Sequence, residues 1–255
     1  MLKVLLARMK QGHRTVSYPD TAPVLPDRFR GAPAIDPKRC KDGCRACVEV
    51  CPTDALSCQD DKLRLDTGKC LFCTECTTAC PEGAIELTRE YRLAARHRED
   101  LFVDGEFQVK RKALDEQMTR LFGRSLRLRQ VSAGGCNGCE LDVNVLGTIV
   151  FDLGRFGIQM VASPRHADGL LVTGPVSQNM LVALQKTYDA VPSPKLVIAV
   201  GACAISGGPY AGHEEVKDGV ASTLPVDLFI PGCPPHPYTI LDGLLGLLGR
   251  ERKQP

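Results

Sequence analysis

The residues in this sequence that are best suited to chemistry are its 13 cysteines, most of which fall in two tandem runs. The first run occupies residues 40–52 and has the spacing C-x3-C-x2-C-x3-C-P. The second occupies residues 70–81 and has the spacing C-x2-C-x2-C-x3-C-P. Thiolates are strong ligands for soft metals, and closely spaced thiolates can enclose one corner of an inorganic core in a tight loop. The two runs therefore predict two adjacent metal centres.

The spacing of the second run is one that binds [4Fe–4S] clusters, where the fourth cysteine of each run ligates the other cluster. We therefore expect two cluster sites that exchange their fourth ligands. Site 1 would use Cys40, Cys44, Cys47 and Cys80. Site 2 would use Cys51, Cys70, Cys73 and Cys76. Structural zinc and disulfides are the alternatives, but zinc sites usually take their ligands as two pairs, which two runs of four do not suit.

The two runs also belong to a longer internal repeat within residues 34–88. The positions of Cys44, Cys47, Cys51, Pro52 and Ala55 recur 29 residues later as Cys73, Cys76, Cys80, Pro81 and Ala84. Between the runs, residues 55–58 and 63–65 have the composition of two short strands and predict a hairpin. This hairpin carries Cys58, which lies outside both runs and is expected to be structural. The repeat predicts an α+β, two-cluster ferredoxin domain. The first run has one residue more than the second between its first two cysteines, and Gly43 can let this extra residue bulge out.

The overall composition excludes several classes of function. A length of 255 residues allows one or two domains, and a net charge of +2 gives no indication of a nucleic-acid-binding surface. The chain does not start with a secretory signal pattern, so the cysteines are interpreted as metal ligands in a reducing compartment. No apolar run approaches the length that spans a bilayer.

The regions on either side of the ferredoxin domain are expected to be simpler. Residues 1–33 predict a short helix over 1–10 and a proline-rich extended segment over 17–33, either a disordered tail or an arm that wraps a neighbouring subunit. Residues 89–125 form a charged connector with the composition of helices over 90–99 and 112–122. Within it, residues 102–107 contain an Asp-Gly turn between apolar pairs, which suggests a small hairpin.

Residues 126–255 have a different pattern, in which apolar strands alternate with helices. The predicted strands are residues 126–131, 169–173, 196–200 and 227–230, and the predicted helices are residues 140–150, 177–190 and 238–248. Continuous apolar runs such as 169–173 and 196–200 are typical of buried parallel strands. The alternation predicts an α/β, flavodoxin-like, doubly wound second domain.

Three of these strands are followed at once by loops that contain cysteine. The cysteines are Cys136 and Cys139 after the first strand, Cys203 after the third and Cys233 after the fourth. Ligands of open α/β sheets bind beyond the carboxyl ends of the strands, so the four thiols can converge on one point, here called site 3. The alternatives are isolated core cysteines and a redox-active C-x2-C pair. Together the three sites account for every cysteine except Cys58.

The loops of the second domain also carry a resemblance. Residues 126–250 resemble the small, cluster-bearing subunit shared by respiratory complex I and the group 4 membrane-bound [NiFe]-hydrogenases. The resemblance is carried by the segments 135–140, 173–176, 201–208 and 231–235. Residues 1–88 are similar to the two-cluster ferredoxin subunit that accompanies this small subunit in formate hydrogenlyase and in complex I. The complex I subunit usually has adjacent cysteines at the first ligand position. This chain has Cys136 and Cys139 separated by two residues, as in the hydrogenase branch.

The resemblance implies a fusion of two electron-transfer subunits, with three [4Fe–4S] clusters and no catalytic site of its own. Site 3 would hold the proximal cluster beside the active site of a separate large subunit. The implied partners are a [NiFe]-hydrogenase large subunit, a dehydrogenase or other electron donor, and integral membrane subunits. The chain would then be cytoplasmic and peripheral on the inner face of the cell membrane.

Two other functions remain open from the sequence. One is electron transfer in a complex I-type quinone oxidoreductase or a nickel-free hydrogenase-related complex. The other is a soluble iron–sulfur carrier or sensor, against which the second domain argues. Glu140 is interpreted either as a favourable helix-start residue or as a charged group at the large-subunit interface. His213 and His236, near the later loops, are expected to be surface or structural residues.

Overall fold

The first part of the chain is built from short elements placed around the two cysteine runs. The computed structural model describes residues 2–59, 62–110 and 112–250. The elements in chain order are α1 (Leu2–Gln11), β1 (Pro33–Ile35), α2 (Ala46–Glu49), β2 (Leu56–Gln59), β3 (Lys62–Asp66), α3 (Glu75–Ala79) and β4 (Ile85–Leu87). Strand β1 pairs antiparallel with β4, and β2 pairs antiparallel with β3. The predicted helix at the N-terminus and the predicted hairpin are both present, although residues 60 and 61 lie outside the described ranges.

The ferredoxin domain has a small apolar core that includes side chains from both halves of the repeat. In the hairpin, Leu56 lies opposite Leu65 and Cys58 lies opposite Leu63. Leu56 and Leu65 are buried together with Ile35 and Ile85 from the other strand pair. Both pairs of strands thus contribute side chains to the core in which Cys47 and Cys70 are buried.

The connector differs from its prediction because its apolar residues pair with distant strands. No helix forms over residues 90–99; Ala95 instead makes an antiparallel bridge with Phe229 of the second domain. A 3-10 turn (Arg98–Leu101) leads into strand β5 (Phe102–Val103), which pairs with β3 rather than forming a local hairpin. The second predicted helix is shorter than expected. Helix α4 (Glu116–Phe122) begins after Asp115, whose carboxylate accepts a hydrogen bond of 2.9 Å from the Met118 N–H.

The second domain is organised around five parallel strands. Its elements are β6 (Leu126–Ser132), α5 (Gly138–Val145), β7 (Ile158–Met160), β8 (Gly169–Thr173), α6 (Gln178–Ala190), β9 (Leu196–Val200), α7 (Ala202–Ser206), β10 (Leu228–Ile230) and α8 (Pro237–Leu247). The strand order is β10-β9-β8-β6-β7, and all pairs are parallel. This order is that of a flavodoxin-like, doubly wound sheet, with the switch point between β6 and β8. The predicted fold class is confirmed for this domain; strand β7 was missed.

Helices cover both faces of this sheet. Leu171 and Ile198 point to the face covered by α5 and α8, whereas Leu170 and Val197 point to the face covered by α6 and α7. Since both faces are covered, every residue of β8, β9 and β10 is buried, which explains their uninterrupted apolar sequences. In the described ranges, no helix combines the length and the apolar character that a bilayer crossing needs.

The proline-rich segment packs on its own chain and is not a disordered tail, while its contact with a neighbouring subunit stays a prediction. The Val16 N–H donates to the Val150 carbonyl at 2.9 Å, and Arg155 donates to the Tyr18 carbonyl at 3.0 Å. The Tyr18 side chain is buried, and its hydroxyl donates to Asp242 of α8 at 2.5 Å. The segment therefore closes over one end of the buried helix α8.

We expect the Tyr18→Phe substitution to lower the free energy of unfolding by about 2 kcal/mol, because a buried carboxylate loses a donor. Burial and the Asp242 carboxylate hold the pKa of Tyr18 well above its usual range. The folded chain therefore keeps the phenol proton where the unfolded chain releases it, above about pH 10, and stability should fall as the pH rises past that value. Tyr18→Phe should lose this part of the pH dependence.

Denaturant titrations at neutral and alkaline pH measure both effects. The matched control is Tyr210→Phe. Tyr210 is 48% exposed, so the loss of its hydroxyl should change the free energy of unfolding little. Equal stability of the two variants at neutral pH would contradict the role assigned to Tyr18.

Candidate iron–sulfur sites

The four cysteines assigned to site 1 line one cavity. Its lining includes Cys40, Cys44, Cys47 and Cys80. Burial, followed by the neighbouring Cys80 and Cys40, raises the pKa of the Cys47 thiol to about 11. Burial, Cys44 and Cys80 raise the pKa of Cys40 as well. Thiols that oppose one another's ionisation in this way need a cationic group between them to become thiolates together.

The cysteines assigned to site 2 line a second cavity. They are Cys51, Cys70, Cys73 and Cys76. Burial raises the pKa of the Cys70 thiol to about 12, and the other three cysteines act in the same direction. The fourth cysteine of each run thus lies in the cavity of the other run, as the exchanged spacing predicts.

Backbone N–H groups already point at three of these sulfurs. The Ala55 N–H donates to Cys51 Sγ at 3.2 Å, and the Ala84 N–H donates to Cys80 Sγ at 3.2 Å. These two bonds are related by the internal repeat, since Ala55 and Ala84 are equivalent positions in it. The Phe72 N–H donates to Cys70 Sγ at 3.3 Å. Such donors favour the thiolate form and lower the electron density on sulfur, which is one way a protein raises a cluster's potential.

The cysteines assigned to site 3 come together at the carboxyl edge of the parallel sheet. Cys136 follows β6, Cys139 lies in the first turn of α5, Cys203 lies in α7 after β9, and Cys233 follows β10. Burial raises the pKa of Cys139, and Cys203, Glu140, Cys233 and Cys136 raise it further. Burial, then Cys233 and Cys136, raise the pKa of Cys203 to about 11. All four thiols therefore lie within electrostatic range of one another.

Two glycines leave the room that the sulfurs of site 3 require. A Cβ on Gly201, where φ is +92°, would lie 2.5 Å from Cys139 Sγ. A Cβ on Gly208, where φ is +58°, would lie 2.8 Å from Cys203 Sγ. Any other residue would both strain the backbone and displace a ligand sulfur. These close approaches and the all-thiol donor sets fit [4Fe–4S] clusters at the three sites.

The cysteines surround volumes rather than single points. Among the residues that the structure describes, no three His, Cys, Asp or Glu side chains are close enough together to hold one bare metal ion. A cluster differs from a single ion in this respect, because its own irons and sulfides fill the space between the four ligand sulfurs.

Glu140 is a buried acidic residue directly below site 3. Its carboxylate accepts hydrogen bonds from the hydroxyls of Ser132, at 2.5 Å, and Thr173, at 2.7 Å. It lies in the first turn of α5 and is only 6% exposed, so within this chain it is a packed helix-start residue rather than a surface charge. Its negative charge raises the pKa of both Cys139 and Cys203.

Sites 2 and 3 face each other across the boundary between the two domains. Burial, Cys136 and then Cys73 raise the pKa of Cys233, so a cysteine of site 2 lies within electrostatic range of site 3. The Ser206 hydroxyl, in α7, donates to the Gly68 carbonyl at 3.0 Å and joins the domains close to both sites. On the other side of site 2, Cys76 contributes to the raised pKa of Cys47 in site 1. Cys47 of site 1 packs in the same buried cluster as Cys70 of site 2, and Phe72, between Cys70 and Cys73, lines a pocket with Cys233, so site 2 lies beside both of the other sites.

The remaining candidate residues lie beside these sites without bordering them. Cys58 is half-buried in β2 and contributes to the raised pKa of Cys40, but the cavity of site 1 is lined by other cysteines. His236 accepts a hydrogen bond of 3.2 Å from the Tyr238 N–H at the start of α8, and burial lowers its pKa. His213 is exposed, and its Nδ1 accepts a hydrogen bond from the Glu215 N–H.

The closeness of Cys58 to Cys40 leads to a direct test of the ligand set at site 1. We expect Cys40→Ala to lower the iron content by about four atoms per chain, the content of one cluster. Cys58→Ala should retain all of the iron, since it removes only a thiol that packs on the hairpin. Iron and acid-labile sulfide analysis of the two purified variants measures the difference. If Cys58→Ala lost a cluster and Cys40→Ala kept all of its iron, Cys58 would be the ligand of site 1 and Cys40 would not.

Two family models match the chain, one in each domain. Residues 39–84 match the 4Fe-4S dicluster domain, and residues 136–247 match the 20 Kd subunit of NADH ubiquinone oxidoreductase. The fold and the matched families thus define an iron–sulfur protein in which a ferredoxin-like 4Fe-4S domain precedes a parallel α/β domain.

Individual relatives show the same similarity over the second part of the chain. The "Probable membrane-bound hydrogenase subunit mbhJ" of Pyrococcus furiosus is 41% identical over 146 residues, which cover 56% of this chain and 87% of the relative. "Formate hydrogenlyase subunit 7" of Escherichia coli is 44% identical over 49% of each chain. A subunit of the NADH-quinone oxidoreductase of Heliobacterium modesticaldum is 40% identical, over 45% of this chain and 66% of the relative. The chain belongs to the family of the 20 kDa subunit of NADH ubiquinone oxidoreductase.

Among solved structures, a chain of the membrane-bound sulfane sulfur reductase, an archaeal respiratory membrane complex, is 34% identical. The match covers 53% of this chain and 75% of that chain, with a TM-score of 0.46.

Proposed function

We propose that this protein is the electron-transfer subunit of a membrane-associated [NiFe]-hydrogenase complex of the formate hydrogenlyase type. It carries three [4Fe–4S] clusters, each of which accepts and passes on single electrons. The three clusters connect a dehydrogenase or ferredoxin donor, next to site 1, with the hydrogenase large subunit, next to site 3. The observation that carries the proposal is the position of site 2 next to site 3, where Phe72, between Cys70 and Cys73, lines one pocket with Cys233.

The protein's own residues bind the clusters and set the conditions for transfer. Twelve thiolates are the ligands, and the N–H groups of Ala55, Phe72 and Ala84 stabilise negative charge on three of them. The buried Glu140 carboxylate adds a negative charge near site 3, which favours the oxidised cluster there. The packing between α7 and Gly68 fixes the separation of the last two sites.

A large subunit is the partner that site 3 requires. Cys136 and Cys233 are both exposed, so a cluster at this edge faces out of the chain. Beside it, α5 and the turn after it present Leu141, Val145 and Ile149 at a spacing of four residues, and Leu141 and Ile149 are 58% and 71% exposed. A large subunit that covers this apolar ridge would also cover the cluster and place its active site next to it.

Two features favour a hydrogenase over a quinone oxidoreductase. The C-x2-C spacing of Cys136 and Cys139 is the pattern of the hydrogenase branch. Two of the relatives, of Pyrococcus furiosus and Escherichia coli, have names that place them in hydrogenase or hydrogenlyase complexes. The second candidate, a complex I-type quinone oxidoreductase or a nickel-free relative, is favoured by the similar identity of 40% to the NADH-quinone oxidoreductase relative. In either case, the chain would be peripheral on the inner face of the membrane.

Metal analysis of the intact complex tests the proposal. The complex is solubilised gently, purified through a tag on this chain, and analysed for nickel and iron. We expect about one nickel and at least a dozen cluster irons per copy of the chain. Full iron without nickel would move the protein to the second candidate function. Iron well below three clusters would contradict the third site.

A further inference from the structure

Helix α1 is exposed along its full length in the part of the chain that the structure describes. All of its residues, Leu2–Gln11, are exposed, and the side chains of Leu2, Leu5 and Met9 are 72%, 60% and 72% exposed. The helix is therefore not docked on the ferredoxin domain, one of the roles that its apolar positions suit. Exposed apolar residues that are grouped on one helix, rather than scattered, indicate a binding surface.

The apolar side chains of α1 fall on one narrow stripe. Leu2, Leu5, Leu6 and Met9 occupy positions i, i+3, i+4 and i+7, which share one face of an α-helix. Val4 and Ala7 lie on the opposite side. The stripe is continuous over the length of the helix, so the helix can lie flat with this face against an apolar medium.

The charged side chains of α1 border this stripe and are all cationic. Lys3 and Lys10 lie along one edge of it, and Arg8 lies along the other. The sequence has no Asp or Glu before Asp20, and Arg14 adds a further positive charge just after the helix. A stripe with cationic groups at both edges is complementary to a surface that is apolar inside and anionic at its boundary. That is the profile of a bilayer containing acidic phospholipids.

The first attachment point after α1 lies at the end of the apolar ridge formed by Leu141, Val145 and Ile149. The helix ends at Gly12, where φ is +64°. Shortly afterwards the Thr15 hydroxyl donates to the Ile149 carbonyl at 2.7 Å. The anchor point is therefore next to Ile149, which is 71% exposed, and Val150, which is 40% exposed. The tether keeps the helix near the α5 end of the second domain.

We propose that α1 is an interfacial anchor that binds acidic phospholipid headgroups, with its leucine stripe inserted at the boundary of the acyl chains. The long lysine and arginine side chains reach from the edges of the stripe to the phosphates. The chain thereby makes its own contact with the membrane surface, in addition to any contact made through partner subunits. This contact does not depend on the clusters or on the identity of the large subunit.

Vesicle flotation of the full, cluster-loaded chain tests the anchor. Vesicles of equal parts phosphatidylcholine and phosphatidylglycerol should carry the protein, and vesicles of phosphatidylcholine alone should carry about tenfold less. Added salt should release the protein from the anionic vesicles because it screens the cationic groups.

Two matched double variants separate the stripe from the rest of the helix. L5Q/L6Q removes two leucines from the stripe and should weaken binding about tenfold or more. V4Q/A7Q makes the same kind of change on the opposite side and should bind like the unmodified chain. Since all four residues are exposed, both variants should keep the visible absorbance of the clusters, which shows that each chain is intact.

Failure of the unmodified chain to float, equal binding to both vesicle types, or equal effects of the two double variants would each overturn the lipid anchor. If L5Q/L6Q floats normally but no longer assembles with its partner subunits, the stripe binds protein instead of lipid, and the proposal is wrong. None of these results changes the nickel and iron content, so they are distinct from a failure of the proposed function.

Discussion

Replacement of Cys203 by alanine is expected to lower the iron content from about twelve to about eight atoms per chain and to abolish electron delivery beyond site 2. Cys203 lies in α7, within electrostatic range of the other three cysteines of site 3, so its loss removes one of four converging ligands. Sites 1 and 2 are lined by other cysteines and should keep their clusters. Iron and sulfide analysis measures the first effect, and hydrogen production by the complex with a reduced donor measures the second.

The control for this variant is Ser206→Ala, in the same short helix. Ser206 donates to the Gly68 carbonyl but is not a ligand, so its removal should cost about 1 kcal/mol of stability and leave the iron unchanged. If Cys203→Ala retained about twelve irons, Cys203 would be a core cysteine and site 3 would lack its fourth ligand.

Gly174→Ala is expected to destabilise the second domain by about 3 kcal/mol and to weaken cluster binding at site 3. Gly174 directly follows β8, at the switch point of the sheet, with φ at +83°. A Cβ there would lie 2.5 Å from the Gly135 nitrogen and 3.0 Å from the Ala133 carbonyl carbon. Because these neighbours are backbone atoms, the loop that carries Cys136 has to move.

Gly212→Ala is a matched control for the conformational part of this effect. Gly212 also has a positive φ, +80°, but a Cβ there meets nothing within 4 Å. We expect a loss of about 1 kcal/mol from the left-handed backbone alone, with full iron retained. Denaturant unfolding of the two variants, with iron analysis, separates strain from contact. Equal losses of stability in the two variants would mean that the close approach of Gly174 to Gly135 does not contribute to the destabilisation.

The sequence predicted the chemistry better than it predicted the connections between domains. Cysteine spacing is a local property, and the strands 169–173 and 196–200 were predicted with the bounds that the structure gives, because buried parallel strands have continuous apolar sequences. The hairpin that carries Cys58 was predicted for a similar reason, since its strands are short and adjacent in the chain.

The errors occurred where distant pairing overrides local preference. Residues 90–99 have helical composition, but the bridge between Ala95 and Phe229 takes the place of an α-helix there. The contact between Tyr18 and Asp242 joins positions 224 residues apart, so nothing near Tyr18 in the sequence predicts its burial. Strand β7 (Ile158–Met160) is a three-residue edge strand with one buried side chain, too short to leave a pattern.

The assignment of ligands to sites 1, 2 and 3 stays a prediction, and its central claim is that one chain carries three clusters in a fixed order. Electron paramagnetic resonance of the purified, reduced chain, with iron and sulfide analysis of the same sample, tests this most directly. We predict about twelve irons and twelve sulfides per chain, with a site 3 signal broadened by spin coupling to the neighbouring site 2 cluster. The broadening should disappear when Cys70→Ala removes the site 2 cluster. About eight irons, or a site 3 signal that is the same with and without the site 2 cluster, would contradict the account.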